Sequence, residues 1–82
     1  AGVGINLVTL CTDIYAIHDN FFKVNGAVQG DAITCNANSI NCMFWGNQAF
    51  DGGAAPAQNP FLDSGANDWG VNWTGDAVTY PV

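Results

Sequence analysis

The stretch Gln29–Phe50, QGDAITCNANSINCMFWGNQAF, limits most tightly what this chain can fold into. Cys35 and Cys42 bracket the polar loop 36–41, and the apolar pair Phe44 and Trp45 follows at once. Joined as a disulfide, the two thiols would close a short loop worth about 2.5 kcal/mol on the loop-entropy model. That bridge would set Asp31–Cys35 and Cys42–Phe50 side by side as antiparallel strands across the loop. Cys11 is then left over, as a buried thiol or an intermolecular partner.

What flanks this stretch also reads as strand. Ala1–Leu10 alternates Val3, Ile5 and Leu7 with Gly2, Gly4 and Asn6, the period-2 pattern of a half-buried strand. Its other face is almost bare, so it suits either the chain's own sheet or a groove in another subunit. Residues 11–24 carry two readings. Leu10, Ile14, Ile17, Phe21 and Val24 fall at helical spacing, with Thr12 to cap the helix and Gly26 to end it. Against this, His18-Asp19-Asn20 makes a good turn between two short strands, and Asn25-Gly26 is a hairpin signal. Further on, 51–60 is a Gly/Pro/Ala loop, and Trp69–Trp73 with Asp76–Tyr80 form two short strands around Thr74-Gly75. No internal repeat is evident.

Composition tips the balance toward strands. The chain has no Glu and no Arg, and its one Lys is Lys23, so the best surface helix formers are nearly missing. The expected fold is mainly β, a small antiparallel sheet or sandwich with long loops. The alternative is α+β with one helix over 11–24. Residues 1–82 form a single small domain, with 1–10 as a candidate strand-exchanging arm. Chains of 82 residues bury little surface, so a bridge or an adjoining copy is expected to complete the core.

Net charge is −6. One lysine cannot displace the counterions of a phosphate backbone, which excludes nucleic acid as a partner. No apolar run reaches the length of a membrane span. The start at Ala1 without Met and the cysteine usage point to an exported chain, acting outside the cell or at its surface.

No catalytic constellation stands out. His18, Ser39 or Ser64, and an Asp would make a triad only on paper, since neither serine sits in a strained elbow. The chain is expected to be non-enzymatic and without cofactor. Zinc lacks its paired cysteine spacing. Asp63, Asp68 and Asp76 are calcium candidates, weighed against ordinary solvated turn carboxylates. Trp69 and Trp73, four apart, would share one face of a regular strand and with Asp68 and Asn72 could bind a glycan. The plainer account is aromatic filling of a thin core. Asn72-Trp73-Thr74 is also a glycosylation acceptor pattern.

The functional expectation is a structural subunit of an extracellular filament or surface assembly. Val3, Ile5 and Leu7 would add as a strand to a neighbouring copy. The alternatives are a small disulfide-containing secreted toxin or effector, and a carbohydrate-binding module using exposed tryptophan.

Overall fold

The structure, a computed structural model, describes residues 4–8, 10–13, 16–23, 31–50 and 59–82. These residues contain strands and no helix. The strands are β1 (Ile5–Leu7), β2 (Ala16–His18), β3 (Phe21–Lys23), β4 (Ile33–Cys35), β5 (Ile40–Trp45), β6 (Gln48–Phe50), β7 (Phe61–Asp63), β8 (Ala66–Trp69), β9 (Trp73–Thr74) and β10 (Ala77–Val78). Each pairs with the strand three places along, not with its neighbour in sequence; the exception is β9 with β10. The first sheet runs β1-β4-β7, the second β2-β5-β8, and the third β3-β6-β9-β10. Every pairing is parallel except β9 with β10.

This order has one geometric meaning. The chain visits the three sheets in turn, then starts again one strand higher. β1–β3, β4–β6 and β7–β9 are three successive rungs of a three-sided parallel β-helix. In the first sheet the repeat is 28 residues, seen in the row Ile5, Ile33, Phe61.

Corners between sheets need abrupt changes of direction, and the sequence supplies residues that tolerate them. Asp13, Asp19 and Gly46 have positive φ there, as does Asn41 inside β5, a region that Gly, Asn and Asp enter at least cost. Asn41 lies where the β5 register slips against β8, as a bulge does. At the next corner Gly65 is required by crowding, because a Cβ there would run into the Ser39 carbonyl oxygen.

The core is a set of columns along the helix axis. Leu7, Ile33, Cys35, Cys42, Phe44, Ala49 and Phe61 are buried, with Ile5, Ile17, Phe22 and Trp69 packed against them. The rings of Phe44 and Trp69 stack at 4.3 Å, one rung apart, which adds about 1 kcal/mol to the area they bury.

The mainly β expectation holds, and residues 16–18 and 21–23 are strands, as the turn at 18–20 suggested. Three finer expectations are corrected. The sheets are parallel, not antiparallel: Asp31–Cys35 and Cys42–Phe50 do not pair, because the corner between them sends β4 and β5 into different sheets. No disulfide joins Cys35 to Cys42; both thiols serve as small buried core groups, and the Cys42 Sγ donates to the Cys11 carbonyl oxygen at 3.2 Å. The chain is also periodic, although its period shows in only a few positions. Of the two C-terminal strands expected at 69–73 and 76–80, the first is interrupted at 70–72, and the pair that forms is the shorter β9 with β10, turning at Gly75-Asp76. The Asn25-Gly26 signal and Val3 lie outside the described residues.

The clearest periodic mark is a column of Asn20, Asn47 and Asn72 at the corner between the second and third sheets. The Asn47 Oδ1 accepts from the Asn20 backbone N–H (3.2 Å) and Nδ2 (3.0 Å). Its own Nδ2 donates to the Ile17 carbonyl (3.1 Å) and to the Asn72 Oδ1 (2.9 Å), which also accepts the Asn47 backbone N–H. Asn47 and Asn72 are fully buried, so every one of these bonds counts against desolvation. Replacing Asn47 by Ala strands partners on both sides and is expected to cost about 3 kcal/mol or more. The same change at half-buried Asn20 is expected to cost about 1 kcal/mol. Urea unfolding of the two variants measures both, and equal losses would contradict the ladder as described.

Candidate functional site

Alternation along the strands divides side chains into an inner and an outer set, and each set forms its own cluster. The inner polar cluster sits where the first sheet turns into the second. Asp63 Oδ1 accepts from the Gly65 N–H and from Asn67 Nδ2, both at 2.9 Å, and Oδ2 accepts from Trp69 Nε1 at 2.9 Å. Asn67 also receives the Cys42 backbone N–H on its Oδ1 and donates to the Ser39 carbonyl. Beside this network the Cys35 thiol is pushed up to about 12, first by burial and then by the nearby Asp63 carboxylate; a hydrogen bond with Ser39 works the other way. Such a thiol is inert toward electrophiles at neutral pH, since the thiolate is the reactive form.

The outer face of the second sheet carries the exposed cluster. Two columns run across it in register: Ala16, Met43 and Asp68, and beside them His18 and Trp45. The His18 and Trp45 rings stack at 4.5 Å with planes 1° apart. His18 Nδ1 lies 2.8 Å from Asp19 Oδ2. The third sheet adds Phe21 and Phe50, stacked at 5.3 Å.

The residues singled out from sequence are scattered by the fold. Trp69 ends β8 and points inward, while Trp73 begins β9 beyond the corner, so they do not share a face. Asn72 is buried, and its Nδ2 donates to the Phe44 and Gly70 carbonyls. In the folded chain that amide does not face solvent as an acceptor for glycosylation should. Asp63 is engaged in the inner cluster, Asp68 is on the outer face, and Asp76 lies in the β9–β10 turn. Among the described residues no group of His, Cys, Asp or Glu is placed to hold a metal ion, so the three calcium candidates do not converge. His18, Ser39 and Ser64 sit at separate places, with the Ser39 Oγ donating to the Asn36 carbonyl at 2.8 Å. Ile5 and Leu7 lie in the chain's own first sheet, paired with Ile33 and Cys35. No described helix is long and apolar enough to cross a membrane.

Sequence reading passed over Trp45 as a surface group. The signal was present: Phe44 and Trp45 are adjacent in a strand, so if one faces the core the other faces out. Comparison with protein-family models, with curated proteins and with solved structures finds no match.

Cys35 makes the inner cluster testable. A pKa raised on folding favours the native state below the ordinary thiol value of 9.0, and that support is lost as pH rises toward about 12. Stability of the wild type is expected to fall across this window more steeply than that of a Cys35→Ala variant. At pH 8, iodoacetamide should label Cys35 only in unfolded protein, and ready labelling of the native chain would contradict its burial.

Proposed function

We propose that the protein is a non-enzymatic structural subunit, exported from the cell, that builds an extended assembly by adding β-strands at the ends of its rungs. The observation that carries this reading is the state of the two helix ends. Among the described residues β1, β2 and β3 each have one partner strand, so the first rung presents three open edges. Such edges present rows of unpaired N–H and C=O groups, a template for another chain.

The ladder has a direction that supports the same end. Each asparagine Oδ1 accepts from the rung before it, and Asn20 is the first of the series. Among the described residues no group donates to the Asn20 Oδ1, which leaves it as an acceptor that a preceding rung could use. Val8, Leu10 and Phe21 are exposed on this same rung.

The other end differs. There β10 lies antiparallel over β9, and Val82 brackets Leu62, donating to the Phe61 carbonyl and accepting from the Asp63 N–H. Two unlike ends make a heterologous contact, and a heterologous contact that does not close into a ring gives a filament. Stacking rungs of one chain on rungs of the next would extend the same core and the same ladder.

A single substitution tests the edge. The Asp19 N–H donates to the Trp45 carbonyl, so strand alternation turns the Ala16 N–H away from β5. Proline is accommodated at the first position of an edge strand whose N–H faces outward. Light scattering with size-exclusion chromatography over rising concentration is expected to show growth beyond a dimer for the wild type and a smaller species for Ala16→Pro. A wild-type monomer at every concentration would overturn the proposal, and so would a species that stops at two copies.

A further inference from the structure

Among the described residues, one face of Trp45 carries a stacked ring and the other carries none. His18 covers the first at 4.5 Å, close to the distance of about 4.8 Å between paired strands, so the two rings lie one above the other along the helix axis. The next place in that column belongs to the third rung, and it is held by Gly70. Phe44 pairs with Trp69, and the Gly70 N–H donates to the Phe44 carbonyl, which sets Gly70 level with Trp45. A Cβ at position 70 would lie 3.2 Å from the Trp45 Cβ, so a side chain there would ride directly on the indole. Glycine leaves that space unfilled, and Trp45 remains 38% exposed.

The surroundings say which chemistry suits the slot. Asp68 stands on the same outer face, two residues before Gly70 and paired with Met43. Met43 and Val71 are exposed beside it and supply an apolar rim. The net charge of −6 favours a cation and disfavours an acidic sugar. A planar cation gains on both counts, by stacking over the indole and by pairing with a carboxylate. The chain contains no arginine, so a second copy cannot supply a guanidinium.

We propose that the open face of Trp45, above Gly70 and beside Asp68, is a binding site for the guanidinium of an arginine on a different, basic protein. The site does not depend on the rung ends, so it stands or falls separately from assembly.

The test titrates a tri-arginine peptide, with tri-lysine and cellohexaose as comparison probes, while indole N–H resonances are followed by NMR. The Trp45 signal is identified by its loss in Trp45→Phe. Tri-arginine is expected to shift that signal more than the other indole signals, and to bind several-fold more tightly than tri-lysine. Gly70→Leu should fill the slot and abolish the shift. Gly70 does not have positive φ, so a side chain at this position meets a steric demand but no backbone strain. Asp68→Asn, at an exposed position, should weaken binding about fivefold, in the range of a rim charge pair, and serves if Gly70→Leu does not fold. Equal binding of tri-lysine, or tri-arginine binding that neither variant alters, would overturn the proposal. A Trp45 shift with cellohexaose and none with tri-arginine would overturn it in favour of a sugar platform.

Discussion

Everything in this molecule depends on pairing between residues one rung apart. Strands of two or three residues have little stability alone, and here nearly every one is held by partners about 25 to 28 positions away in sequence. The asparagine column shows how strict the arrangement is. A buried carboxamide has two donor hydrogens and an oxygen to satisfy, and an identical group one rung away meets those needs with the same geometry each time. If one rung slipped by a residue, inner and outer side chains would exchange places and the column would be broken. Packing and polar satisfaction therefore select one register together.

That constraint explains which parts of the fold were legible in the sequence. Alternation at Ile5 and Leu7 and the lack of Glu and Arg pointed correctly to strands. Alternation tells inside from outside, but it is the same for parallel and antiparallel partners, so it could not reveal direction. Direction lay in the corners, where Asp13, Asp19 and Gly46 take positive φ. These residues read from sequence as ordinary turn formers, equally suited to hairpins. The repeat was hidden because its rows exchange chemistry: Leu7, Cys35 and Asp63 share one column, and so do Phe22, Ala49 and Thr74. Among the described residues only the asparagine column keeps its residue type through all three rungs.

The candidate site was less legible for the same reason. Trp69 and Trp73 looked like a pair because four residues on one strand would put them on one face. A corner at Gly70–Asn72 intervenes and sends one inward to stack on Phe44. Trp45 is surface-exposed because its neighbour Phe44 is in the core. Cys35 and Cys42 were read as a staple for a small core, whereas the rungs themselves bury Phe44, Phe61 and Ile33 completely. What a small chain lacks in volume is here supplied by stacking of one rung on the next.

The most direct test of the rung architecture is a nuclear Overhauser spectrum of the backbone amides. The account predicts cross-peaks that tie Thr34 to both Asn6 and Leu62, in the pattern of parallel strands on either side of β4. Cross-peaks running in reversed order between 31–35 and 42–50, as in a hairpin, would contradict it.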